Sequence, residues 1–356
     1  MIITLLIFLA ILLTLVISHE AGHFFVARKT GVAVEEFGFG IPPRIGKIQR
    51  GETAYSFNAL PFGGFVKLRG EEGDGEHDPK SFGAKKWYQK SAILLAGVGA
   101  NILLAYVALS LVSIIGIPVA VPDDEAKITP DAKITVTEIA MQSPADDAGF
   151  MAGDTIQSVA GVEPTTAEDA QRAITARAGV PTTFVVKRNG AEITLTATPR
   201  QAPPAGEGPL GIALSLTRIQ KTAWYKAPIV GAELSFNILR NTVSGFAGLI
   251  KAVVKKETSR IQVAGPVGIF SLTTHAKNSG VAAVLIFTAI LSINLAIINV
   301  LPIPGLDGGR LLFVLFETAR GKKISSHVSA LVHGIGLAAL LILMLIITYK
   351  DIARLF

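Results

Sequence analysis

Residues His19-Glu20-Ala21-Gly22-His23 sit inside a nearly uncharged apolar run from Met1 to Ala27. Two histidines four apart share one face of a helix, with about 6 Å between their Cβ atoms, which suits two imidazoles on one metal ion. The glutamate between them is the residue type that serves as general base toward water activated by such an ion. Ionisable side chains at membrane depth cost about 2.5–3.5 kcal/mol each on an insertion scale. Three of them in one turn therefore call for a metal.

Three plainer readings compete with a metal site. The pattern arises by chance in soluble helices, an apolar N-terminus can be a cleaved signal peptide, and a membrane span can carry stray polar residues. A signal peptide wants a basic start and a small-residue cleavage site. Residues 2–18 hold no Lys or Arg, and the run continues through the motif to Val26. The cost of desolvation argues against stray polar residues, so a metal site is expected.

A zinc site with two histidines needs a third protein ligand and an open position. Asp307, His275, His327 and His333 are candidates, with Asp74 and Asp78 more remote. Asp307 is favoured, because it follows Asn299-Val300-Leu301-Pro302-Ile303-Pro304-Gly305-Leu306 and precedes Gly308-Gly309 at the end of an apolar segment. Prolines and glycines there break the helix at depth, which is tolerated where backbone is buried in protein or lines a cavity. A carboxylate beside such a break reads as functional. His333 is held in reserve. Cysteine is absent, which removes any thiolate site or disulfide framework.

These residues must be positioned by membrane helices. The chain has 356 residues, is 50% hydrophobic and only 17% charged, and its mean hydropathy is +0.51, a composition unlike that of a soluble globular protein. Four spans are expected, over residues 1–26, 91–117, 281–306 and 328–348. Eleven Lys/Arg fall between Arg28 and Lys90, and Arg310, Arg320, Lys322 and Lys323 fall in the last connection. The positive-inside rule puts both connections in the cytoplasm and residues 118–280, with both termini, outside. The net charge of +6 comes from scattered basic residues without aromatic interleaving, so nucleic acid is not an expected partner. Residues 222–256 are apolar at helical spacing but interrupted by Glu233, Arg240 and Lys251. They read as an amphipathic helix on the membrane, with a fifth span as the alternative.

Residues 45–68 alternate like strands, with turns at Gly51 and Pro61-Phe62-Gly63-Gly64. A β-hairpin or small sheet is expected, its Phe62-Gly63-Gly64-Phe65 tip either re-entrant or plainly cytoplasmic. Residues 71–80 read as an acidic, Gly-rich loop. A compact α+β module is expected over 133–214, with a helix at 167–176 and a hairpin turn at Asn189-Gly190. The remaining divisions are an N-terminal membrane region over residues 1–117, a linker over 118–132, an amphipathic segment over 215–280 and a C-terminal membrane region over 281–356. Ser143-Pro144-Ala145-Asp146-Asp147-Ala148-Gly149 and Gly153-Asp154-Thr155-Ile156 resemble bacterial PDZ domains. The resemblance implies recognition of an extended peptide or C-terminus by strand addition; a module that only filters substrates by size is the alternative. Pro209-Leu210-Gly211-Ile212 is the candidate carboxylate-binding loop.

The His19–His23 motif, Leu306-Asp307-Gly308 and the PDZ-like insert between them resemble the site-2 protease family of intramembrane zinc metalloproteases, in the bacterial branch of regulated intramembrane proteolysis. Further matches are Pro61-Phe62-Gly63-Gly64-Phe65-Val66-Lys67, Ala96-Gly97 with Asn101, and Gly265-Pro266-Val267-Gly268. The resemblance implies Zn2+ held by His19, His23 and Asp307, with Glu20 as catalytic base. It also implies that Asn294 and Asn299 engage the substrate backbone, asparagines that otherwise read as interhelical hydrogen-bonding groups. Gly63 and Gly64 join them as substrate-binding candidates. Val98 stands where the family usually has proline, and the insert has room for one PDZ domain where some members carry two.

The expected fold is thus a polytopic α-helical membrane protein with about four transmembrane helices, a cytoplasmic membrane-associated β-hairpin region and an extracytoplasmic PDZ-like domain. The family implies a multi-pass protein of the bacterial inner membrane, with its active site near the cytoplasmic side. Its expected partners are the lipid bilayer and single-span protein substrates, such as anti-sigma factors or remnant signal peptides. A metal or proton transporter and an inactive PDZ-bearing scaffold are the alternatives. The absence of an evident internal repeat counts against the first, and retention of all four site residues against the second.

Overall fold

A computed structural model of the chain describes residues 1–353 apart from 72–76, 124, 126–128, 130, 141, 189, 205 and 256–263. Asp74, Pro130, Asn189, Ala205 and Lys256, on which some sequence expectations fall, lie outside the described residues. The chain divides into two compact units, one of residues 1–109, 231–271 and 287–356, the other of 110–230 and 272–286.

Among the described residues, four helices are long and apolar enough to cross a membrane: α1 (Ile2–Lys29), α2 (Trp87–Ile115), α7 (Val281–Val300) and α9 (Ser326–Ala353). Helix α1 stays unbroken because its apolar run holds no proline, and it stops at Thr30-Gly31, where Gly31 takes a left-handed φ of 75°. The third span is shorter than expected. Helix α7 ends at Val300 rather than 306, since Pro302 and Pro304 cannot donate to a helix and bias the residues before them to extended backbone. Residues 301–306 turn, and α8 (Asp307–Arg320) starts afresh.

The first unit also holds the sheet made by β1 (Val34–Arg50) and β2 (Thr53–Leu68). Both strands bend, so β1 pairs with β2 twice: Glu36 lies opposite Ala54 on one side and Lys67 on the other. The two long strands therefore make four antiparallel ribbons, ordered 44–50, 53–58, 34–39 and 64–68. The small sheet begins eleven residues before the expected start at 45. It is anchored where Val34, Leu68 and Phe82 pack with Phe24 and Ala27 of α1, Ile93 and Leu94 of α2, and Val314 of α8. Asp351 of α9 accepts from the backbone N–H of Gly265 and Gly268, each at 2.8 Å, and so caps the start of α6 (Pro266–Asn278).

The second unit is a six-stranded sheet in the order β3-β8-β4-β5-β6-β7, with neighbours antiparallel. Its strands are β3 (Ile117–Ala120), β4 (Lys133–Ile139), β5 (Thr155–Val159), β6 (Thr182–Arg188), β7 (Ala191–Ala197) and β8 (Ile212–Gln220). Helices α3 (Pro144–Asp147) and α4 (Ala167–Thr175) pack against it. Ile134, Val136, Phe150, Ile174, Phe184 and Leu216 share its core. The expected linker thus opens as a strand, and the sheet continues to Gln220 rather than 214, because β3 and β8 pair from Ile117–Gln220 to Ala120–Thr217. Residues 222–256 supply one helix, α5 (Ala227–Val254).

Asp154 is fully buried here and forms a two-pronged ion pair with Arg188, Nε to Oδ1 and Nη2 to Oδ2, both at 2.7 Å. The carboxylate holds the Arg188 guanidinium above its ordinary pKa. Truncating one member of a buried pair strands the other, at about 3–5 kcal/mol. Arg188→Ala is therefore expected to lower the stability of this unit by that amount, read as a matching rise in hydrogen exchange across β4–β6.

Candidate metal centre

Helix α1 presents His19 and His23 on one buried face. Asp307, the first residue of α8, meets them from the other end of the chain, where the N–H groups of a helix start favour a carboxylate. The two Nε2 atoms are 3.1 Å apart, and Asp307 Oδ2 lies 3.0 Å from that of His19 and 3.2 Å from that of His23. Among the described residues, these three form the group of His, Asp and Glu side chains whose donor atoms could share an ion.

The donor set fits zinc. Tetrahedral ligands about 2.0–2.1 Å from one ion stand about 3.3 Å from each other, close to the observed triangle. Asp307 Oδ2 is buried and, among the described residues, accepts no hydrogen bond, although two imidazole nitrogens lie beside it. Such an atom normally has a partner, and a cation at the centre of the triangle supplies one. His23 donates from Nδ1 to the carbonyl of Ile93 at 2.8 Å, which leaves Nε2 free for metal.

Two close approaches make room for this cluster. Gly22 of α1 lies against the backbone carbonyl of Ala96 in α2, with no space for a side chain. Gly97 sits over the two rings, so that a Cβ there would collide with His23 Nε2 and with His19 Cε1 and Nδ1.

A cavity of about 480 Å³ opens beside the donors and is lined by Glu20, Gly63, Gly64 and Asn299 among others. The five residues Gly64 to Leu68 all border it, while pairing on their other side with residues 34–39. Gly63 has a left-handed φ of 84°, and a Cβ at Gly64 would overlap Val16 and press on Glu20 Cγ. The loop thus touches α1 at the level of the motif.

Of the sequence-derived site residues, His19, Glu20, His23, Gly63, Gly64, Asn299 and Asp307 border one cavity. Asn294 is partly buried on α7 and does not line it, because it lies five residues from Asn299 on a helix that ends at Val300. His333, the reserve ligand, stands outside the donor group; its Nδ1 accepts from Gly305 N–H at 3.0 Å and so braces the turn before Asp307. His275 and His327 stand outside the donor group, and Asp78 is taken up by Arg69 and the Lys80 N–H, which hold its carboxyl below the usual range. Glu71 and Arg310, read only as loop and topology residues, pair with each other at the cavity wall. Arg310 had a signal, for it follows Asp307 by three residues and shares its helix face.

The family model described as Peptidase family M50 matches residues 7–343. A Clostridium acetobutylicum protein that carries a zinc metalloprotease name is 33% identical over 340 residues, covering 95% of this chain and 94% of its own. Zinc metalloprotease RasP of Geobacillus kaustophilus is 28% identical, over 98% and 97%. Regulator of sigma-W protease RasP of Bacillus subtilis is also 28% identical, over 99% of both chains. With a match running through nearly the whole sequence, this multi-pass membrane protein belongs to peptidase family M50, the site-2 proteases, and is a zinc metalloprotease.

Proposed function

We propose that the protein hydrolyses peptide bonds within transmembrane segments of single-span proteins, with His19, His23 and Asp307 as zinc ligands and Glu20 as the catalytic base. The observation that carries this reading is the donor triangle placed beside Glu20 in a cavity bordered by a strand. Glu20 lies nine residues before the end of α1, about 13 Å of helix. That depth supports chemistry below the membrane surface, with a re-entrant Gly63-Gly64 loop shielding the site from lipid.

Zinc in this site supplies Lewis acidity toward the scissile carbonyl and the attacking water. The chain's own groups do the rest. Glu20 takes the water's proton and returns it to the leaving amine. A helical substrate hides its carbonyls in its own hydrogen bonds, so the target segment must unwind. The Gly64–Leu68 ribbon offers a backbone edge along which the unwound segment adds as a strand. Asn299 at the cavity wall, with Asn294 farther along α7, engages the substrate backbone.

Charge distribution supports an active site near the cytoplasmic side of a bacterial inner membrane, with the second unit outside. In this reading that unit is a PDZ-like domain that recognises substrates already trimmed outside, or admits them by size. The α3 cap, in which Ser143 accepts from Asp146 N–H, and buried Leu210 next to Gly211 support it. The Bacillus relative is named a regulator of sigma-W, which fits substrates of the anti-sigma type; remnant signal peptides are the second class that the family resemblance suggests.

The test is cleavage of model single-span peptides by the purified protein in detergent or vesicles. Cleavage within the apolar segment is expected, to be lost on treatment with a zinc chelator and regained when zinc is restored. Cleavage that persists in protein shown to be metal-free overturns the mechanism, and cleavage confined to soluble peptides overturns the substrate class.

A further inference from the structure

We infer that Asn101 is a positioning residue that fixes His19 as a zinc ligand by accepting a hydrogen bond from its Nδ1–H. This rests on the ligand assignment proposed above.

Asn101 lies in α2 and is fully buried. Its backbone carbonyl accepts from Ser292 Oγ of α7 at 2.7 Å, which holds the main chain in place. Among the described residues its side chain has one hydrogen-bond partner, His19 Nδ1, 3.4 Å from Nδ2, and Oδ1 has none. A buried carboxamide costs free energy unless its groups are used. Helix packing alone does not account for an asparagine whose side-chain hydrogen-bond partner, among the described residues, is an imidazole of the metal centre.

Proton placement identifies the contact. A neutral imidazole that offers Nε2 to a metal carries its proton on Nδ1, so the group facing Nδ1 must accept. Nδ2 cannot do so; Oδ1 can. A half-turn of the carboxamide exchanges the two atoms, which occupy almost the same volume. In that orientation Oδ1 receives the Nδ1–H and locks the tautomer in which Nε2 is bare.

His23 supports the same logic, since its Nδ1 is 2.8 Å from the carbonyl of Ile93. Ile93, Gly97 and Asn101 are four residues apart and form one stripe on α2. The outer two serve one imidazole each, while the glycine between them lets the rings approach. Helix α2 contributes no ligand, yet it orients both histidines. Loss of such an outer partner typically weakens metal binding by about 10–100-fold.

The experiment measures zinc affinity in full-length purified variants by competition with chelators of graded strength, without reference to proteolysis. Asn101→Leu keeps the volume and removes the acceptor; it is expected to bind zinc about 10–100-fold more weakly. Asn101→Asp keeps the shape and can only accept; it is expected to bind zinc as tightly as the native chain or more so. A role in packing alone predicts the reverse order, since leucine suits a buried site better than a charge. Native affinity in Asn101→Leu, or loss of zinc in Asn101→Asp, overturns the inference, and the second outcome remains readable should the leucine variant not fold. His19→Ala separates the two levels. If it retains zinc, the ligand assignment itself fails; if it loses zinc while Asn101→Leu does not, only the role of Asn101 falls.

Discussion

Glu20→Gln is expected to retain one zinc per chain and to cleave a transmembrane peptide about 10²–10⁴-fold more slowly. The amide has the same shape as the carboxylate, so the fit of the side chain beside Gly64, where an added Cβ would stand 3.1 Å from Glu20 Cγ, is preserved. It cannot take a proton from water, and that is the step assigned to it. Because Glu20 stands outside the donor triangle, metal content should not follow activity down. Zinc by elemental analysis and product by mass spectrometry, taken on the same preparation, check both halves. Undiminished cleavage would remove Glu20 from the mechanism, and parallel loss of zinc would make it a structural member of the site.

Gly97→Ala is expected to be nearly as damaging through the opposite route, by expelling the metal. The added methyl falls on both imidazoles, and neither can yield without moving its nitrogen out of the triangle. Gly22 and the Ala96 carbonyl pack α1 closely against α2 at the same level, so parting the helices to make room would open that contact. Overpacking of this kind costs about 1–3 kcal/mol, and here the cost is relieved by turning a ligand away. Zinc content should fall to background and cleavage with it. Gly99→Ala is the matched control, because a Cβ at that position meets nothing within 4 Å. Native zinc and native activity in Gly97→Ala would contradict the geometry described for α2.

The candidate site was legible because its residue types are costly where they stand. Two histidines and a glutamate in an apolar run, and an aspartate after a Pro/Gly break, leave few interpretations once the price of burying charge is counted. The sequence alone did not reveal how these groups are oriented. The second acceptor for the histidines is a backbone carbonyl, Ile93, which any residue at that position would provide. Glu71 and Arg310 are far apart in the chain and become partners only when the end of β2 meets α8. The doubled pairing of β1 with β2 was hidden because each strand bends at its middle, and alternation is local while register is not. Residues 118–120 read as linker because Pro118 and a short length mask a strand, and Pro is tolerated there because β3 is an edge. Asn294 was grouped with Asn299 by family likeness, yet they differ in access to the cavity.

The donors come from opposite ends of the polypeptide, and this separation has a consequence during biosynthesis. About 280 residues must be translated after His23 before Asp307 exists, which at roughly 5–20 residues per second takes tens of seconds. Throughout that interval the nascent chain holds two histidines in the bilayer and no third donor to complete the triangle. On the ligand assignment proposed above, hydrolytic competence is therefore deferred until the stretch that opens α8 with Asp307 has been made.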